Sequence, residues 1–256
     1  MLKKNKSVVV TQKLDIENLA IKEPLNDMQV FIDFCNYDIQ SATNELKTIK
    51  TEKNRKHLQK LVYVNLINRF DYLIDKLLLW LSINNEPLRN EILKSVEQET
   101  ISRKEVFEIF FMKDRSYDLV IEKIRELTRN NLLRDRHSVK LHKIILKCLD
   151  IKDYQKPRVN KDGKIYTKIK KNKSQPNDII GYADWLYSRR NSLVHGNGTN
   201  YNKTDYEYIK KHFQVNLSKQ IKLKLTSITS AVNFYTDLIE IIKNNINESK
   251  EHSDEL

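Results

Sequence analysis

The residues best placed to do chemistry lie close together near position 190, in the run Arg189-Arg190-Asn191-Ser192-Leu193-Val194-His195-Gly196. Asn191 and His195 are four residues apart and share one face of a helix. Arg190 is five residues from His195, about 140° round an ideal helix, and stands one turn from Leu186 and Leu193. An imidazole titrates near neutrality and moves protons in either direction. A guanidinium fork binds phosphate or carboxylate oxygens in pairs. Rooted on an apolar stripe, such a group must reach a charge or a polar pocket. Gly196 and Gly198 let the chain turn after His195, which leaves the imidazole at a helix end. The same arrangement also suits a helix C-cap, with His195 on the last carbonyls and Gly196 as the stop.

With 12 Arg and 6 His in 256 residues, an Arg–His pair at one fixed spacing arises by chance about 0.3 times. Arg136 and His142 make such a pair, but no Asn follows the arginine and the helix around them has an apolar face of Leu141, Ile144, Ile145 and Cys148. Requiring Asn after Arg lowers the expectation to about 0.03, and requiring Gly after His lowers it further.

The elements that must position these residues read as helices. Four Gly and four Pro are too few turn residues for a many-stranded sandwich or barrel. Residues 1–25, with Val8-Val9-Val10, read as an N-terminal arm, and 26–250 as a single helical domain. Within it a first helix is expected from about Asn26 to Lys56. A core helix follows, with Leu58, Leu61, Val62, Leu66, Phe70, Leu73, Leu77 and Leu81 in its apolar stripe. Embedded in that stripe, Asn65, Asn68, Arg69 and Asp71 face either a site or solvent. Pro87, Glu105–Met112, Tyr117–Thr128 and Val139–Leu149 mark further helices. Pro176-Asn177-Asp178 starts the motif helix, expected over 178–196. Thr204 caps a short helix, and a last one is expected from Leu217 to about Ile246. Between them 151–176 is a basic insertion, a short hairpin or loop around Asp162-Gly163.

The run Arg190-Asn191, three residues, His195-Gly196 resembles the motif of the HEPN superfamily, and the helix LVYVNLINRFDYLIDKLL resembles the early core helix of those domains. The likeness covers about twenty residues plus that helix. It implies an all-α, HEPN-like helical bundle with additional helices and the basic insertion near 156–173. It further implies a metal-independent endoribonuclease, possessing no cofactor, that cleaves through the ribose 2′-hydroxyl to leave 2′,3′-cyclic phosphate and 5′-hydroxyl ends. His195 would move the proton, Arg190 would stabilise the phosphate charge, and Asn191 would position either. Arg189 is the alternative arginine. Asp184, about two turns before Asn191, could orient a catalytic cation, and Asp71 stands where related domains often carry an acid. Family members commonly pair, which implies a homodimer with a composite site. They mostly serve as toxins, abortive-infection factors or antiviral effectors, so an antitoxin or regulatory partner belongs to the same expectation. Two other readings stay open: a non-catalytic RNA- or nucleotide-binding helical module, and a helical adaptor or antitoxin-type partner.

The net charge of +12 fits a polyanionic partner such as RNA, although 34 Lys against 12 Arg also fits AT-rich codon usage. Clustering favours binding: Lys156, Arg158, Lys161, Lys164, Lys168, Lys170, Lys171 and Lys173 stand against Asp162 alone. They would hold the RNA backbone, with Tyr166 free to stack on a base. Cys35 and Cys148 fit no zinc or disulfide pattern, so no metal is expected. The apolar run Leu77–Leu81 is far short of a membrane span, and the start MLKKNKSVVVTQK has no signal-peptide core. A cytoplasmic protein with no membrane partner is therefore expected.

Overall fold

The computed structural model describes residues 23–95, 116–131, 133–171, 173–195 and 199–254, together with Lys104, Phe107 and Phe111. The arm foreseen over 1–25 lies outside them up to residue 22. Most of the helix foreseen over Glu105–Met112 lies outside them too. What is described is all-α, and its only strand-like pairings are two isolated bridges, Val159 with Ile165 and Asn200 with Gln220.

Helix α1 covers residues 23–48, with a π-helical stretch at Phe34–Ile39. The chain breaks at 49–51, where Ile49 and Thr51 are extended, and α2 runs Glu52–Asn84. Hydrophobic periodicity suggested one helix through to Lys56. No Gly or Pro marks the break. It exists because α1 must turn back to pack its apolar face against α2, and Thr51 is of a type favoured at helix starts.

Along α2, Tyr63, Leu66, Ile67, Phe70, Leu73, Ile74, Leu77, Leu78 and Leu81 are buried, at the three- and four-residue steps of one helical face. Each such burial stabilises by roughly 1.5–3 kcal/mol. Leu58 and Leu61, expected in the stripe, are exposed. The buried face passes instead through Gln59 and Tyr63, because one residue of offset rotates a helix by about 100°. Around α2 pack α1, α3 (Glu86–Ser95), α4 (Ser116–Asn131), α5 (His137–His142, continued as π-helix Lys143–Cys148), α6 (Ile179–His195) and α8 (Leu225–Asp254). A shorter helix, α7 (Lys203–His212), closes over α6. Its N-cap is Asn202, two residues before the expected Thr204. The last helix starts at Leu225, later than foreseen, because 217–224 is non-helical and pairs with 199–201 through Tyr201 N–H to the Lys219 carbonyl and Ile221 N–H to the Thr199 carbonyl.

The motif helix α6 carries no clean amphipathic stripe, because it is wedged between two cores. Tyr182, Ala183 and Leu186 join the main cluster, while Trp185 and Leu193 also pack against Tyr201, Ile209, Val215, Leu217 and Ile221. Its start is fixed by Asp178, whose Oδ1 accepts the Gly181 N–H at 2.7 Å, an N-cap bond. A side chain at Gly181 would meet the Phe213 ring at 2.6 Å, so only glycine lets α6 and the α7 end approach so closely. The Tyr63 hydroxyl donates to the Leu186 carbonyl at 3.1 Å deep in the core, setting the height of α6 against α2.

Candidate functional site

Adjacent arginines on α6 point about 100° apart and enter different surroundings. Arg190 leans toward α2. Its Nε donates to Asn68 Oδ1 at 2.6 Å and its Nη1 to Asn191 Oδ1 at 2.9 Å, while its guanidinium carbon sits 5.7 Å from the Tyr187 ring centre. Both acceptors are neutral amides, and no ion pair to Arg190 occurs among the described residues. The guanidinium is thus oriented without its charge being neutralised, the state that suits it to an incoming oxyanion.

His195 is the last residue of α6 and is exposed. It lies one turn beyond Asn191 and about 7.5 Å along the axis and about 140° round the helix from Arg190. Gly196 and Gly198 lie outside the described residues.

Arg189 turns inward and is only 6% exposed. Its Nη2 is 3.3 Å from the Lys222 carbonyl and 3.4 Å from Ser227 Oγ. Its guanidinium lies over the Trp185 and Tyr63 rings at 4.9 and 5.4 Å. The structure therefore separates the two arginines by environment: Arg190 shares a surface with Asn191, and Arg189 faces a different cavity.

The two acidic residues do not touch Arg190. Asp184, fully buried, accepts Arg136 Nε on both oxygens at 3.0 Å. Arg136 also reaches Ser188 Oγ at 3.0 Å and Asp205 at 3.3 Å, and lies 4.0 Å from the Tyr208 ring centre. The cation Asp184 orients is thus Arg136, the arginine of the second Arg–His pair, which locks α5, α6 and α7 together. Burial pushes the Asp184 carboxyl above its ordinary value in spite of that partner. Asp71 accepts Lys140 Nζ at 2.7 Å and pairs with His137 Nδ1 at 3.1 Å. Burial alone would raise its pKa, but His137 and Lys140 outweigh burial and hold it at about 2. Lys140 also binds Asp75 at 2.7 Å, and burial pushes Asp75 up.

These layers touch through Tyr187, which stacks on His137 with centres 5.0 Å apart and a 15° tilt, and receives Arg190 on its ring. Sequence reasoning gave no role to Tyr187, His137 or Lys140. Their types are ordinary for core and surface, and only their meeting across α2, α5 and α6 makes a network. Asn68 was visible as a polar residue in an apolar stripe, but nothing in the sequence names a partner 122 positions away.

The basic segment is a tight loop docked on α8. Asn160 Oδ1 accepts the Asp162 and Lys164 N–H groups at 2.9 Å each, and Gly163 takes φ +81°. The Asp162 carbonyl accepts from Asn233 Nδ2, and Asp237 Oδ2 accepts the Ile165 N–H. The loop base is tied to the start of α6, since the Asn177 carbonyl accepts both the Arg158 and Val159 N–H groups at 2.8 Å. Lys161, Lys164, Tyr166, Lys168, Lys170, Lys171 and Lys173 are exposed. Lys156 pairs with Asp153, and Arg158 folds back onto the Tyr166 carbonyl. No contact joins the loop to Arg190 or His195 among the described residues; Lys161 lies instead beside the cavity of Arg189.

Among the described residues no cluster of three or more His, Cys, Asp or Glu side chains could hold a metal ion, and no helix is long and apolar enough to cross a membrane. No family model, curated protein or solved structure matches the chain.

Proposed function

We propose that the Arg190–Asn191–His195 surface cleaves RNA, as a metal-independent endoribonuclease of the HEPN type. The observation that carries the reading is the guanidinium of Arg190, held by two amide oxygens and, among the described residues, by no carboxylate, near the end of a helix that finishes on an exposed imidazole. In the reaction an imidazole takes the proton of the ribose 2′-hydroxyl, the 2′-oxygen forms a bond to phosphorus, and the bond to the 5′-oxygen breaks as that oxygen receives a proton. Arg190 balances the charge that grows on the phosphoryl oxygens. Asn191 fixes the guanidinium from one side and Asn68 from the other.

One imidazole cannot serve as base and acid in the same encounter. His137, linked to this surface through Tyr187, is fully buried and occupied by Asp71, so it does not reach a substrate. A second copy of the chain, bringing its own His195 across a two-fold axis, supplies the missing group. Role as a toxin or antiviral effector in the cytoplasm, with an antitoxin or regulatory partner, follows by analogy with the HEPN ribonucleases and belongs to the same proposal.

The test is labelled RNA incubated in EDTA with wild type, Arg190→Ala and His195→Ala. Cleavage by wild type alone, leaving 2′,3′-cyclic phosphate and 5′-hydroxyl ends, is the expected result, and a 2′-deoxy substitution at the cleaved position abolishes it. Retention of RNA by an inactive wild type would overturn catalysis and favour an RNA-binding module built on the exposed lysines of the 156–173 loop. Neither cleavage nor retention would leave a helical adaptor.

A further inference from the structure

Arg189 is the least satisfied cation in the described core. Its Nε is buried with no acceptor, and its two Nη2 contacts are long. Among the described residues the acidic groups facing it are the phenols of Tyr63, Tyr182 and Tyr201, and no carboxylate. A guanidinium withdrawn from water without a counter-charge is costly, and proteins keep such a group where something outside the chain supplies the anion.

Space for that anion exists. A cavity of about 360 Å³ opens beside Arg189 between α6, the first turn of α8 and the 216–222 segment, within the range of roughly 300–1,000 Å³ usual for small-ligand sites. Trp185 and Tyr201 give it aromatic walls, Lys161 and Lys222 add positive charge, and Ser174 and Ser227 are among its hydroxyls. No Asp or Glu lines it among the described residues. Lys161 comes from the basic loop, held there because Gly163 lies so close to α8 that a Cβ would stand 1.8 Å from the Ser230 carbonyl oxygen.

We propose that this cavity binds a phosphate-bearing mononucleotide, its phosphate on Arg189 with Lys161 and Lys222, its base against Trp185 and Tyr201. A buried guanidinium calls for an oxyanion, while the volume and the two aromatic walls exceed what free phosphate would use. The site is separate from the Arg190 surface, since neither Arg190, Asn191, His195 nor Asn68 lines the cavity.

The full-length protein is melted in the presence of each 5′-nucleoside monophosphate, of the matching nucleoside and of inorganic phosphate. At about 100 times Kd, at least one nucleotide raises the melting temperature by about 5–10 °C, whereas nucleoside and phosphate raise it far less. Arg189→Met and the exposed pair Lys161→Ala/Lys222→Ala both abolish the shift; the lysine pair tests the site even if Arg189→Met fails to fold. The His195→Ala protein keeps the full shift, so this result stands whether or not the chain cleaves RNA. Absence of any nucleotide shift, an equal shift from phosphate alone, a shift retained by the lysine variant, or one lost in His195→Ala would each overturn the assignment.

Discussion

Asp184→Ala is the sharpest probe of how α6 is held. The carboxylate is fully buried, and it accepts the Arg136 Nε on both oxygens. Removing one member of a buried pair costs about 3–5 kcal/mol, mostly because the other charge is left unmatched. Here the orphan is Arg136, whose side chain is 28% exposed and keeps Asp205 at 3.3 Å and the Tyr208 ring, so the cost should fall at the low end, about 3 kcal/mol. Arg136→Met strands the carboxylate instead. Asp184 has no water to turn to and must take up a proton, so that variant should lose about 4 kcal/mol. For a chain of this size each kcal/mol lowers the melting temperature by about 2–4 °C, giving a drop of about 6–12 °C for Asp184→Ala. Calorimetric melting at pH 7, with urea unfolding as a second measure, reads both variants. Arg136→Met/Asp184→Leu should recover much of the loss, because an apolar pair of similar volume can replace a buried ion pair. Cleavage measured well below the melting temperature should persist in Asp184→Ala, since Asp184 touches neither Arg190 nor His195. A melting temperature within 2 °C of wild type, or a double variant whose loss equals the two single losses together, would refute the lock.

Asn68→Ala removes the acceptor of Arg190 Nε; cleavage should fall by about tenfold in kcat/KM, equivalent to about 1.4 kcal/mol, while the melting temperature stays near wild type because Asn68 is exposed. His195→Ala should abolish cleavage at a stability cost of order 1 kcal/mol or less, the worth of a polar group at a helix end, as checked by activity and urea unfolding together. Asp71, lowered from 3.8 to about 2 by His137 and Lys140 against its burial, contributes stability that is complete above about pH 4 and lost as pH falls toward 2. At 1.36 kcal/mol per unit this is about 2 kcal/mol. Asp75 and Asp184, both raised by burial, act in the opposite sense, so the difference between wild type and Asp71→Asn across that window is the quantity to measure. Gly163→Ala combines a positive φ with a backbone clash at Ser230 and should lower the melting temperature by several degrees through undocking of the loop.

The sequence by itself determined the helices, because apolar residues at three- and four-residue steps can be buried only as helical faces. It placed Arg190, Asn191 and His195 at one helix end, since Asp178 starts α6 and Gly196 follows its last residue. It also located the loop turn at Asp162-Gly163. Periodicity says nothing of direction, so the reversal at 49–51 and the shifted stripe of α2 emerged only when α1 folded back on it. Tertiary structure alone decided what each polar residue meets. Arg189 and Arg190 are identical in type and adjacent in sequence, yet a turn of about 100° sends one to Asn68 and the other into a cavity closed by Lys222 and Ser227. Asp184 and Asp71 likewise found Arg136 at the start of α5 and Lys140 within it, 48 and 69 residues away. Electrostatic and hydrogen-bond partners depend on distances of a few ångströms in space, and separation along the chain carries no information about those.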